Sequence, residues 1–235
     1  MIKLNEHLPR GLIVSCQAYE GDPLYGSHLM AAMAKAAEIG GAVGIRANSP
    51  QDIRAIRAVT RLPIIGLYKV FSPDTEVYIT PDFEAADQIS RAGCDIIAID
   101  ATPRPRKDGL RLPDLINFIH QDLDKPIIAD TSCLEDALLA ESLEVDLVST
   151  TLAGYTSHGR QLFTGPDLEF VEILVKSIHV PVIAEGRFYL PEDVKAAINL
   201  GAYGVAIGEA ITRPEKITRR FVEAINDVIG NGSSH

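Results

Sequence analysis

Val180-Pro181-Val182-Ile183-Ala184-Glu185-Gly186-Arg187 decides the fold. Proline opens the phrase, where a strand loses no ladder donor, an apolar run follows, and a carboxylate appears as the run gives out at glycine. The same opening occurs twice upstream, in Leu62-Pro63-Ile64-Ile65 and Lys125-Pro126-Ile127-Ile128. These phrases read as strands three, five and seven. Between them lie apolar runs that follow a small turn: Gly40-Gly41-Ala42-Val43-Gly44-Ile45-Arg46, Ala92-Gly93-Cys94-Asp95-Ile96-Ile97-Ala98-Ile99-Asp100, Val145-Asp146-Leu147-Val148-Ser149-Thr150 and Gly201-Ala202-Tyr203-Gly204-Val205-Ala206-Ile207-Gly208. With residues 11–17 as the first strand, the chain carries eight. Continuous rather than alternating apolar runs are the mark of parallel strands covered on both faces.

Helical segments fill the gaps, their starts marked by Ser49-Pro50, by Thr80-Pro81-Asp82, and by the pairs Ser132 with Glu135 and Thr212 with Glu215 at capping-box spacing. Strand and helix alternating eight times in 235 residues fits an α/β protein with a single (β/α)8 TIM barrel, a fold of about 250 residues. The barrel is expected over residues 1–229, with 230–235 as a flexible C-terminal tail. Two long connections after strands, residues 70–80 and 151–166, are expected to act as lids over the site.

A net charge of −10 argues against a nucleic-acid or anionic-membrane surface, each of which needs clustered Lys and Arg. Any anionic ligand must meet local positive charge. The first ten residues lack the apolar run of a signal peptide, and no stretch approaches the roughly 18 apolar residues of a membrane span, so a cytoplasmic protein is expected. Cys16, Cys94 and Cys133 have neither metal-site nor redox spacing and are expected as buried, reduced thiols. No metal and no cofactor is expected.

The predicted strand ends collect Gln17, Arg46, Lys69, Asp100, Asp130, Thr150, Glu185 and Gly208. Burying so many ionisable groups near one axis is costly unless they pair or act on a ligand. In a barrel these ends form the catalytic rim, which makes Lys69 and Glu185 an acid/base pair. Phosphate has its own signal, since barrels hold it with the loops after strands seven and eight and the start of a short helix. Those loops supply Gly186, Arg187, Gly208 and Glu209, and Arg213 adds a charged fork.

Six segments in order, Leu12-Ile13-Val14-Ser15-Cys16-Gln17-Ala18, Ile45-Arg46-Ala47-Asn48, Val77-Tyr78-Ile79-Thr80-Pro81, Ser149-Thr150-Thr151-Leu152-Ala153-Gly154-Tyr155-Thr156, Ile183-Ala184-Glu185-Gly186-Arg187 and Ala210-Ile211-Thr212-Arg213-Pro214, resemble the N-acetylmannosamine-6-phosphate 2-epimerases of sialic acid catabolism. The resemblance implies interconversion of N-acetylmannosamine 6-phosphate and N-acetylglucosamine 6-phosphate by C2 deprotonation and reprotonation. It implies a small phosphosugar as partner, Lys69 and Glu185 as catalytic groups, Gln17, Arg46 and Asp130 around the sugar, and Arg213 on the phosphate. Thr150 joins the substrate-binding set, and a homodimer is among the assemblies open to the chain. Two departures from the family pattern stand out: Val70-Phe71-Ser72-Pro73 lacks a charged residue common there, and Glu209 stands where a small residue is usual. A carboxylate facing phosphate is repulsive, so the Glu209 side chain is expected to turn away. Two rival readings remain: a Schiff-base lyase or aldolase using Lys69 on a phosphosugar, and a phosphosugar-binding sensor without catalysis.

Overall fold

The computed structural model describes residues 8–157, 159 and 164–231. Eight parallel strands close into a barrel in chain order: β1 (Gly11–Cys16), β2 (Gly44–Asn48), β3 (Ile64–Leu67), β4 (Ile96–Asp100), β5 (Ile127–Asp130), β6 (Leu147–Ser149), β7 (Val182–Glu185) and β8 (Gly204–Ile207). The seam pairs β1 with β8, setting Gly11 opposite Gly204 and Val14 opposite Ile207. Outside the strands lie α1 (Ser27–Ile39), α2 (Pro50–Arg57), α3 (Phe83–Ala92), α4 (Leu112–Gln121), α5 (Leu134–Ser142), α6 (Leu168–Ser177) and α7 (Pro191–Asn199). A four-residue α8 (Glu209–Thr212) and an 18-residue α9 (Pro214–Asn231) end the fold. No helix among the described residues is long and apolar enough to cross a membrane.

Side chains alternate along each strand, which sorts the apolar residues into two cores. Ile13, Ile65, Ile128, Leu147, Ile183 and Ala206 cluster inside the barrel, with Leu8 packed among them. Val14, Ile45, Ile64, Ile127, Val148 and Val182 belong instead to the layer under the helices. Two residues on from Ile128 and Ile183, on the same inner face, stand Asp130 and Glu185. Arg46 shares that parity, one residue beyond the outward Ile45. The apolar floor therefore hands over to charge at one level of the barrel.

Strand limits differ from the expected ones where tertiary contacts intervene. β2 continues past Arg46 to Asn48, and β3 stops at Leu67, two residues before Lys69. Lys69 is held instead by an antiparallel bridge to Ile79, and Val70 N donates to Tyr78 O at 2.9 Å. The connection over residues 70–80 is thus a hairpin folded onto the rim, its Phe71 and Tyr78 rings stacked at 5.1 Å. The second expected lid, residues 151–166, lies partly outside the described residues.

Of the expected helix starts, Ser49 caps α2, accepting from Asp52 N at 3.3 Å. Within Thr80-Pro81-Asp82 it is Asp82 that caps α3, while the Thr80 hydroxyl donates to Ala98 O at 2.6 Å. The other two need correction. Ser132 bonds Asp136 rather than forming a box with Glu135, and Thr212 donates to Ser15 O at 2.9 Å. Burial pushes the thiols of Cys16 and Cys94 up to about 12, whereas Cys133, expected buried, is only half-buried beside the start of α5. Helix α9 includes the first two residues of the expected tail, and residues 232–235 lie outside the described ones.

Candidate active site

A cavity of about 260 Å³ opens at the carboxyl ends of the strands. Gln17, Arg46, Lys69, Glu185, Gly186, Arg187, Gly208, Glu209 and Arg213 all line it. Asp130 does not; it sits fully buried beneath Arg46. Thr150 does not line it either, and here the expectation is corrected by one residue. The Thr150 hydroxyl donates to Glu185 O at 2.8 Å and accepts from Glu185 N at 2.9 Å, tying β6 to β7. Its neighbour Thr151 takes the cavity position and donates to Glu185 Oε2 at 2.9 Å.

Arg46 organises the floor. Its guanidinium, 1% exposed, hydrogen-bonds Asp130 through Nη2 and stands with Nη1 3.3 Å from Glu185 Oε2. Burial works against its charge, but Asp130 and Glu185 outweigh that and hold its pKa above the ordinary arginine range. Its Nε makes no hydrogen bond among the described residues, nor does Asp130 Oδ1. A buried donor and a buried acceptor left open in this way are costly unless a ligand or water meets them.

Burial pushes the carboxyl of Asp130 up to about 6 from 3.8, with Arg46 pulling the other way. The folded protein therefore holds the proton over a window in which the unfolded chain has released it. Asp130 contributes stability that is fully present below about pH 4 and is lost as pH rises through about 6. Thermal melts between pH 4 and 7 are expected to show this increment, and Asp130→Asn to remove it. An unchanged slope in the variant would mean that another group titrates.

Lys69 is half-buried. Its backbone N donates to Asn48 Oδ1 at 2.9 Å, and its Nζ donates to Tyr19 Oη at 2.5 Å. Tyr78 lines the same wall, its phenol pKa raised by burial and by the field of Tyr19 and Asp130. At the opposite rim, Arg213 Nη1 lies 2.6 Å from Asp22 Oδ2 and 3.5 Å from Glu215 Oε1. Glu209 is exposed, and its Oε2 accepts from Tyr189 Oη at 3.4 Å. Arg187, expected in the phosphate loop after β7, commits Nε to Gly165 O at 2.9 Å and Nη2 to Ala153 O at 2.8 Å. Its guanidinium, 4.7 Å from the Tyr155 ring, thus clamps the two ends of the connection after β6. At the start of α8 the amides of Ile211 and Thr212 donate to Gly208 O at 2.9 Å, which leaves those of Glu209 and Ala210, two cavity-lining residues, without an intrahelical carbonyl.

The family "Putative N-acetylmannosamine-6-phosphate epimerase" (NanE) matches residues 30–227. The chain belongs to this family. A relative from Caldanaerobacter subterraneus subsp. tengcongensis, named "Putative N-acetylmannosamine-6-phosphate 2-epimerase", is 48% identical over 94% of this chain and 94% of its own. One from Clostridium perfringens with the same name is 47% identical over 91% and 96%. The solved N-acetylmannosamine-6-phosphate 2-epimerase from Clostridium perfringens superposes with a TM-score of 0.90 at 45% identity, covering 94% of this chain and 96% of that one.

Within this family member, several cavity residues carry no mark that singles them out in the sequence. Ser15, Tyr19, Tyr78 and Thr151 line the site, and Asp22 and Asn48 hold residues that do. Tyr78 and Thr151 fall inside quoted motifs, so parity along the strand was a usable signal for Thr151. Tyr19 and Asp22 lie in a loop whose meaning depends on Lys69 and Arg213, remote in sequence.

Proposed function

We propose that the chain interconverts N-acetylmannosamine 6-phosphate and N-acetylglucosamine 6-phosphate by moving the C2 proton, as an isomerase of amino sugar and sialic acid catabolism. The observation that carries this reading is that an amine, Lys69, and a carboxylate, Glu185, line one cavity with Arg213 at its rim. Family membership supports the same substrate.

The C2 proton becomes acidic only when the sugar ring opens, because the open-chain aldehyde lets the resulting carbanion delocalise as an enolate. Lys69 removes that proton, and its return to the opposite face inverts the centre. Glu185, oriented by Thr151 and by Arg46, transfers the ring-opening proton. Arg46, which lines the cavity, brings positive charge to its floor, which favours an enolate. Gly186, Gly208, the α8 amides and Arg213 receive the phosphate, and Gln17, whose Nε2 donates to Ser15 Oγ at 2.7 Å, faces the sugar. Glu209, bonded to Tyr189, supplies its backbone rather than its carboxylate to this cup.

The buried thiols of Cys16 and Cys94 suit a reducing cytoplasm as the place of action. A homodimer is supported by α9, which exposes Phe221, Ile225, Val228 and Ile229 by 58–73% and so offers an apolar face to a second copy.

Proton NMR of N-acetylmannosamine 6-phosphate with the protein in deuterated water tests the reading: signals of the glucosamine epimer are expected to grow. Their absence overturns it. Arg213→Ala is expected to weaken use of the phosphorylated sugar by about 1.5 to 3 kcal/mol, the worth of a hydrogen bond to a charged group, while the unphosphorylated sugar changes less. Equal losses on both sugars would remove the phosphate role from Arg213.

A further inference from the structure

Four residues of the connection between β1 and α1 touch both ends of the cavity at once. Asp22 N donates to Tyr19 O at 2.9 Å, and Tyr19 N donates back to Asp22 Oδ2 at 2.6 Å. Gly21 sits at φ 92° in the third position of this turn, the left-handed conformation that a type II turn requires there. The turn is therefore closed by two opposed hydrogen bonds.

Tyr19 and Asp22 each hold a cation. The Asp22 carboxylate pairs with Arg213 at 2.6 Å, and the Tyr19 hydroxyl accepts from Lys69 Nζ at 2.5 Å. The Tyr19 ring touches both cations, its hydroxyl edge at Lys69 Nζ and its centroid 5.6 Å from Arg213 Cζ, the latter within the range of cation–π attraction. Asp22 also uses one oxygen, Oδ2, for both Tyr19 N and Arg213. Arg213 and the amide that closes the turn carrying Tyr19 therefore share one acceptor, so a change at Arg213 falls on that oxygen.

In a chain of net charge −10 the phosphate end depends on local cations, and Asp22 cancels one of them. We propose that the Tyr19–Asp22 turn is a specificity element, in which Asp22 occupies Arg213 until a phosphate displaces it and Tyr19 positions the amine of Lys69. The proposal rests on the assignment of Arg213 to phosphate and Lys69 to proton transfer. Asp22 acts on binding as an internal competitor, and Tyr19 acts on turnover through Lys69. Because one turn carries both, a substrate with a phosphate resets the amine as it binds, and a sugar without one leaves Arg213 on Asp22.

Inorganic phosphate, used as a competitive inhibitor, separates the parts. Asp22→Asn keeps an acceptor for Tyr19 N but removes the charge, and is expected to lower the phosphate Ki about two- to fivefold, the range of a partly exposed ion pair. An unchanged or raised Ki overturns the competitor role. Tyr19→Phe keeps the ring and removes the hydroxyl; kcat is expected to fall about two- to tenfold, the worth of one hydrogen bond, with KM and the phosphate Ki held. Equal changes in kcat and KM, or none in kcat, overturn the positioning role. The chain has no tryptophan, so Tyr19→Trp places a single indole in the turn. Its emission is expected to change with phosphate and to saturate near the Ki; a flat titration overturns the link between the two ends. Arg213→Ala is the control. If phosphate still inhibits that variant as it does the wild type, the phosphate assignment itself fails. If inhibition weakens there while Asp22→Asn shows no gain, only the competitor is lost.

Discussion

Lys69→Ala is expected to leave no more than about 10⁻² of the wild-type kcat, since removal of a group that takes and returns the reacting proton forfeits the roughly 10² to 10⁴ typical of general acid/base catalysis. The fold should survive the change. Lys69 lies beyond the last residue of β3, its side chain is half-buried at the rim, and the backbone contacts that hold it, Asn48 Oδ1 to its N and the bridge to Ile79, do not involve the amine. What the variant loses inside the protein is the bond from Nζ to the Tyr19 hydroxyl, at the surface of the cavity. Thermal unfolding should therefore move little while epimerisation, followed by proton NMR, stops. Turnover within tenfold of wild type would take proton transfer away from Lys69. Borohydride in the presence of substrate addresses the rival chemistry of the same amine: reduction of a Schiff base adds a stable sugar adduct to the protein mass, and none is expected.

The barrel was legible because its signals are local. Proline followed by an apolar run at residues 63, 126 and 181 marks where β3, β5 and β7 begin, and the runs themselves leave no polar face to be solvated. Which residues share the inner face was less legible, because that depends on register. A slip of one residue turns a side chain from the cavity to the wall, and it separates Thr150, pinned to the backbone of β7, from Thr151 on the Glu185 carboxylate. Hydroxyls misled at the helix starts for a related reason. Ser132 and Thr212 have the right spacing for caps, but Ser132 takes the carboxylate of Asp136, one residue beyond Glu135, and Thr212 takes Ser15 O, a contact that forms only once the barrel has closed. Arg187 shows the same limit. Its place after β7 points to an anion, and its guanidinium is taken by carbonyls of Gly165 and Ala153.

Glu185→Gln is expected to lower kcat by roughly 10² to 10⁴, because the amide keeps the shape of the side chain but neither takes nor gives the ring-opening proton. The hydroxyl of Thr151 can still donate to the amide oxygen, so the residue should stay in place. Loss of scaffolding therefore predicts little change, whereas loss of an acid/base predicts a large one. The charge has a second readout. Glu185 and Asp130 share Arg46, and the negative charge of Glu185 helps to hold the Asp130 carboxyl up near 6. Removing that charge lets Asp130 ionise more readily in the folded state, which brings its pKa back toward that of the unfolded chain. The stability that Asp130 adds as pH falls from about 6 to 4 should then shrink in Glu185→Gln, with melts of the variant and the wild type converging on the acid side of their difference. A variant with normal kcat and the wild-type slope would leave Glu185 as a wall of the cavity. A variant with low kcat and the wild-type slope would keep the proton-transfer role but break the electrostatic link through Arg46.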